Sequence, residues 1–137
     1  MDREETARRS AQMSRIRSKD TKPELFVRGV VHGMGYRYRL HRRDLPGSPD
    51  LVFPTRRKVI FVHGCFWHRH PDPSCPLTRT PKSRLEFWLP KFDANQRRDT
   101  EKQLQLRELG WEILILWECQ LRDVEFVKTC VKEFLGK

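Results

Sequence analysis

With 137 residues the chain has the length of one ordinary domain and enough sequence to bury a core without disulfides. No run approaches the ~18 to 20 apolar residues of a spanning helix. The opening Met1-Asp2-Arg3-Glu4-Glu5-Thr6-Ala7-Arg8-Arg9 has no apolar run behind its charges, so a cytoplasmic protein without a signal peptide is expected. The 28 Lys and Arg against 18 Asp and Glu leave a net charge of +10, which favours a polyanionic partner. Arginine outnumbers lysine, and its planar fork suits phosphates and base edges, so nucleic acid is expected over a merely solvated basic surface.

Without internal repeats or low-complexity linkers, the chain reads as one domain, 1–137, with an N-terminal arm (1–22) and a core (23–137). The arm carries seven Lys and Arg against four Asp and Glu and few apolar residues, chiefly Met13 and Ile16. It is either a solvated tail or a basic arm that orders on DNA. A first core helix is predicted to start at Pro23, after Thr21 or Lys22. Val27, Val30, Val31 and Met34 recur at helical spacing, and Gly33 and Gly35 end it. Residues 36–40 alternate as a strand. A turn at 45–49 delivers Asp50 to a short strand, 51–53. A second turn at Arg56-Arg57 leads into the buried strand 58–62.

The proline-rich stretch 64–84 reads as structureless, and a loop of that length in a compact domain is usually functional or pinned. A helix follows over 86–109. Trp88, Phe92, Asn95, Asp99, Lys102, Leu106 and Leu109 share one stripe of it, an unusual apolar face because carboxylates seldom face a core unpaired. A continuous buried strand, 111–117, and a helix over 121–135 with Val124, Val127, Val131 and Phe134 inward complete the chain. The pattern predicts a small α/β domain with a mixed central sheet covered on both faces.

Val62-His63-Gly64-Cys65-Phe66-Trp67-His68-Arg69-His70 holds three of the five histidines at the end of a predicted strand. Cys65, His70 and Cys75 lie in the proline-rich loop, and Cys119 follows the strand that ends at Trp117. Three local ligands and one distant one could form a Cys3His zinc site that ties the loop to the core. The alternative is that Cys65 and Cys119 are small buried hydrophobes and Cys75 is incidental. Cys130 lies on the apolar face of the last helix and reads as core.

Nucleases of the restriction-endonuclease type place an Asp on one strand and a Glu/Asp-x-Lys on the next. Asp50 fits the first position, but the second reads Phe61-Val62-His63, so the acid is missing and histidine replaces lysine. Glu24 could fill the carboxylate gap, and the Val62 carbonyl could serve as a hard oxygen ligand. His63 and His68 are the natural proton-transfer pair, and Asp99 has a role if it orients one of them. Phe66 and Trp67 either pack beneath the loop or act as wedges that unstack a base step.

These motifs resemble the very short patch repair (Vsr) DNA mismatch endonucleases. The resemblance rests on Phe-x-His-Gly-Cys-Phe-Trp-His-x-His at 61–70, Leu45-Pro46-Gly47-Ser48-Pro49-Asp50, Glu86-Phe87-Trp88-Leu89, Leu109-Gly110-Trp111 and Leu116-Trp117-Glu118-Cys119. Met13-Ser14-Arg15-Ile16 and Asp20-Thr21-Lys22-Pro23-Glu24 extend it over roughly 10–120. It implies a restriction-endonuclease-like fold with structural zinc, and a nick beside a T·G mismatch left when 5-methylcytosine deaminates.

By the same resemblance, Asp50 and the Val62 carbonyl would bind Mg2+ and Glu24 would hold a water of its shell. His68, oriented by Asp99, would be the general base, and His63 would support the phosphate or metal-bound water. Cys65, His70, Cys75 and Cys119 would hold zinc. Phe66, Trp67 and Trp88 would wedge into the duplex from the major groove, with Met13 in the minor groove and Asn95 as a further DNA contact. Val62 stands where family members often carry threonine, and the His70-to-Cys75 spacing is longer than in the best-known member. The implied partners are double-stranded DNA with a T·G mismatch and other mismatch-repair proteins. The implied enzyme is a monomer working at the bacterial nucleoid, away from membranes. Two other functions fit the same residues: a nicking endonuclease of other specificity, and a non-catalytic zinc-stapled DNA-binding module.

Overall fold

The computed structural model describes residues 21–40 and 42–136. The arm, with Met13 and Ile16, lies almost wholly outside the described residues. The elements run α1 (Lys22–Gly33), β1 (Leu51–Phe53), β2 (Lys58–His63), α2 (Cys65–His68), α3 (Leu85–Glu108), β3 (Glu112–Trp117), a 3-10 turn (Glu118–Arg122) and α4 (Val124–Leu135). Among the described residues no helix is long and apolar enough to cross a membrane.

The start of α1 follows from local chemistry. The Thr21 side chain accepts from the Glu24 N–H, and Pro23 occupies the first turn, where a missing N–H costs nothing. The sheet has the order β1-β2-β3, with β1 antiparallel and β2 parallel to its neighbour, so it is mixed. Side-chain alternation divides it into two faces. Leu51, Phe53, Ile60, Val62 and Leu116 pack with Val27 and Val31 of α1 and with Val127, Val131 and Leu135 of α4. Val52, Val59 and Phe61 pack with Leu45, Leu106 of α3 and Trp111. The sheet is therefore covered on both faces, each fully buried Val or Leu contributing ~1.5–3 kcal/mol.

Four expectations change. Residues 36–40 form one bridge, Arg39 to Val52, rather than a strand. Arg39 and Val52 exchange both backbone bonds, at 2.8 and 2.9 Å. The next hydrogen-bonding pair in that register would be Arg37 with Pro54, which has no N–H to donate, so the ladder stops. The sidedness survives: Tyr38 meets Phe53 edge-on, and its hydroxyl donates to the Arg28 carbonyl at 3.1 Å.

The stretch 64–84 is not wholly irregular, because Cys65–His68 make one helical turn that ends at Arg69 in the left-handed region. Strand β3 is only partly buried, with Leu116 its one buried residue, because it is an edge strand with a single described neighbour. The final helix begins at Val124 rather than 121, behind an Asp123 cap that accepts from the Phe126 N–H. Val124 is exposed there, and Leu135 replaces it in the core.

Within α3 the stripe resolves into three parts. Phe92 and Leu106 are buried, Asn95, Asp99 and Lys102 between them are half-buried, and Leu109 beyond the end is exposed. The apolar ends anchor the helix, and the polar middle spans a gap in the packing. That gap is the cavity described next.

Candidate active site and metal centre

The cavity lies where β1 and β2 face α1 and α3. It brings together Glu24, Asp50, Val62, His63, His68 and Asp99, residues from five parts of the chain. The turn before β1 positions Asp50. Ser48 N–H donates to the Leu45 carbonyl, and Gly47 takes a positive φ of 76°. A Cβ on Gly47 would lie 3.2 Å from both Lys102 Cβ and the Phe61 ring, so the turn fits against α3 only with glycine there.

Asp50 Oδ2 accepts from the Val62 N–H at 2.6 Å, which links the start of β1 to the end of β2. Burial pushes the Asp50 carboxyl up to about 7. The Val62 N–H opposes that rise, and the neighbouring Glu24 carboxylate adds to it. Glu24 is itself buried and pairs with Arg28 at 3.3 Å. Two carboxylates crowded at a buried point suit a hard divalent cation, which would relieve their repulsion.

The two histidines occupy different surroundings. His68 Nδ1 lies 2.6 Å from Asp99 Oδ2, and both side chains are partly exposed. An Nδ1–H donated to that carboxylate leaves Nε2 with its lone pair free. His63 is buried, and its Nδ1 has no hydrogen-bond partner among the described residues. Burial, and then the proximity of His68, push His63 down to about 3, so its ring is neutral at neutral pH. The rings of His63 and His68 stack at 3.9 Å and 8°. His63, His68 and Asp99 offer donors close enough for a metal. Parallel rings, however, aim their in-plane lone pairs side by side rather than at one point, an arrangement suited to proton handling.

The second cluster is Cys65, His70, Cys75 and Cys119, whose ligand atoms all lie within 4.8 Å of one another. His70 Nδ1 is 3.8 Å from Cys65 Sγ and 3.4 Å from Cys119 Sγ. Four donors around a zinc ion stand about 3.8 Å apart if each is ~2.3 Å from it, so the group can hold such a metal. Supporting bonds are in place: the Cys119 N–H donates to Cys65 Sγ at 3.3 Å, and the Thr78 hydroxyl to Cys75 Sγ at 3.1 Å. Burial pushes the Cys65 thiol up to about 12. At Cys75 burial also raises the value, but bonds from Thr78 and His70 win and bring it down to about 6. Cys130 lies apart, on α4, packed against the core.

Trp117 connects the two clusters. Its ring meets His63 edge-on at 5.1 Å and stacks on His70 at 4.4 Å. Sequence reading placed Trp117 at a strand end and assigned it no role. Its register opposite His63 explains the position, and only the β2–β3 pairing reveals it.

Phe66, Trp67 and Trp88 satisfy neither sequence reading completely. They form one aromatic cluster with Phe92, ring centroids 5.1–5.8 Å apart, in which only Phe92 is buried. Cations flank it, with Arg69 4.2 Å from the Phe92 ring centroid and Arg84 and Lys91 over Phe87 at 4.9 and 4.7 Å. Asn95 donates to the Trp67 carbonyl at 3.4 Å and so braces the cluster.

Residues 1–74 match the family model described as DNA mismatch endonuclease Vsr. A type II nicking enzyme, V.XorIIP of Xanthomonas oryzae, is 48% identical over 98% of this chain and 96% of its own length. The DNA mismatch endonuclease Vsr of Escherichia coli is 44% identical over 90% of this chain and 78% of its own. V.NmeAIP of Neisseria meningitidis, also a type II nicking enzyme, is 40% identical over 86% and 82%.

Proposed function

The chain belongs to the DNA mismatch endonuclease Vsr family and is a DNA-nicking hydrolase; from that premise we propose that it nicks one strand beside a T·G mismatch left by deaminated 5-methylcytosine, beginning very short patch repair. The observation that carries the chemistry is the convergence of Glu24, Asp50, Val62 and the His68–Asp99 pair in one cavity.

Asp50 and the Val62 carbonyl would hold magnesium, which when bound offsets charge on the phosphate. Glu24 holds the attacking water. His68 Nε2 takes its proton as the water oxygen bonds to phosphorus and one ester P–O bond breaks. Asp99 keeps the ring in the required tautomer and stabilises the imidazolium that forms. His63, buried and stacked on His68, supports the phosphate or the metal-bound water. Zinc, held by Cys65, His70, Cys75 and Cys119, is structural: it fastens the loop to the end of β3. The mixed sheet between helices is read as the core of a restriction-endonuclease-like fold, working as a monomer in the cytoplasm at the nucleoid, with other mismatch-repair proteins as partners.

Phe66, Trp67 and Trp88 enter the duplex from the major-groove side, braced by Asn95, and Met13 of the arm enters the minor groove. Their half-exposure beside flanking cations supports this. Unstacking costs a few kcal/mol, least at a mismatch, so the wedge itself favours T·G. The second reading is a nickase of other specificity, favoured by the name of the X. oryzae relative.

A nicking assay on paired labelled duplexes separates these readings. One duplex carries T·G within several methylation contexts, and its twin carries T·A or C·G. A magnesium-dependent nick beside the thymine of the mismatched duplex alone is expected. Equal cutting of the twin would favour the second reading, and tight binding without cutting would favour a non-catalytic module.

The His68–Asp99 pair makes a separate prediction. Asp99→Asn keeps the shape but carries no negative charge to stabilise the imidazolium and favours the wrong tautomer. It should lower kcat roughly 100- to 10,000-fold with little change in KM. An unchanged kcat would remove Asp99 from the mechanism.

A further inference from the structure

We propose that Lys102, with Arg98 and Arg43 beside it, is the binding site for the scissile phosphodiester, a role that rests on the nuclease reading. All three line the same cavity as Asp50 and Asp99. Arg98 and Lys102 are four residues apart on α3, one helical turn, and Asp99 lies between them, so one helix face offers both signs of charge. Arg43 comes from the segment before the Gly47 turn.

Three features distinguish this cluster from a solvated charge run. First, Arg43, Arg98 and Lys102 pair with no acid and no acceptor among the described residues, although Glu24, Asp50 and Asp99 line the same cavity. Other basic residues of the chain are paired, such as Arg42 with Asp44 and Arg97 with Asp93. Second, Lys102 is half-buried, and an unpaired ammonium seldom gives up water without an anion to receive. Third, its stem starts against the turn that carries Asp50: Lys102 Cβ is among the atoms that a Cβ on Gly47 would approach to 3.2 Å, and Asp50 follows that glycine by three residues.

The chemistry calls for such a group. A phosphodiester monoanion approaching three carboxylates is repelled, and its charge grows as the water oxygen bonds to phosphorus. A divalent cation offsets part of that charge. Fixed cations across the cavity offset the rest and hold the phosphorus in line, as donors do wherever charge develops in a transition state. In this chain the strand position after Phe61-Val62 carries the buried His63 rather than a lysine, so the fixed cation comes from the helix.

The test is binding and nicking by Lys102→Met, which keeps the stem against Gly47, and by Lys102→Arg, which keeps the charge. Affinity for a mismatched duplex and its paired twin is read without magnesium over a range of NaCl. Lys102→Met should bind both about tenfold more weakly, and its log affinity against log salt should be shallower by about one unit. Lys102→Arg should restore the slope. A neutral methylphosphonate at the cut position should weaken the wild type by a similar factor and Lys102→Met hardly further, which places the contact at that phosphate. An unchanged salt slope, or full additivity with the methylphosphonate, would overturn the assignment, even if nicking falls. These readouts are independent of mismatch preference. If wild type cuts paired and mismatched DNA alike, the repair reading fails while Lys102 is still judged by its slope. A wild type that binds no DNA overturns both.

Discussion

Replacing Asp50 by asparagine is expected to cut magnesium-dependent nicking by roughly a thousandfold, on the order of 4 kcal/mol, while stabilising the magnesium-free protein above neutral pH. Asparagine can still accept from the Val62 N–H, a 2.6 Å bond in the wild type, so the strand ends stay joined. The stabilisation follows from linkage. Unfolded, this carboxyl titrates near its ordinary 3.8, whereas folded it keeps its proton to about 7, chiefly through burial and then through Glu24. Between those values the folded state binds more protons than the unfolded state, so the stability contributed by this group falls as pH rises. Above about 7 the full cost of a buried anion beside Glu24 is present.

Thermal melts of protein dialysed free of magnesium should therefore show Asp50→Asn above wild type at pH 8, with the gap closing toward pH 5. Added magnesium should raise the wild-type Tm at pH 8 and leave the variant where it was. Equal nicking by the two proteins, or an equal magnesium response, would remove Asp50 from the metal site.

The second large effect concerns zinc. Cys119→Ser should release the metal and lower stability by an amount on the order of 5 kcal/mol, roughly 15 °C in Tm for a chain of this size. Three of the four ligands lie within the loop, and Cys119 alone comes from the turn after β3. Its loss detaches the loop from the sheet, so proteolysis at 71–84 should accelerate. Elemental analysis should find one zinc per wild-type chain and none in the variant. Cys130→Ser, which alters a half-buried core position of α4, should keep its zinc. Full occupancy in Cys119→Ser would refute the ligand set.

Much of this was legible from local pattern. Helix α1 followed from the Thr21-Lys22-Pro23 start and the glycines at its end. Strand β2 followed from its apolar run, and the long helix from a stripe ending at Gly110. Cys65, His70, Cys75 and Cys119 were legible because sulfur and imidazole in a proline-rich loop, with one cysteine at a strand end, have few other uses. The even spacing of 36–40 misled, because alternation reports which side faces inward. Pairing also needs a donor on the opposite strand, and Pro54 has none. Strand β3 misled in another way: apolar content predicts burial only where neighbours stand on both sides. The stripe of α3 was read correctly yet incompletely. Asp99 stood out as a charge on an inward face, while Lys102 in the same stripe attracted no reading because a lysine can always be imagined snorkelling to water.

The sequence by itself determined the chemical inventory: which acids, imidazoles, thiols and aromatics are available, and which elements carry them. Those choices are local, set by caps, turns and periodicity over a few residues. The tertiary structure alone decided their pairing and their charge. Folding put His68 against Asp99, thirty-one positions away, and Trp117 between His63 and His70. It also buried Asp50 beside Glu24 and set Lys102 in the same cavity, unpaired among the described residues. Proton affinity and metal affinity depend on distances across the fold and on exclusion of water, and neither quantity exists until the sheet and its helices close around the site.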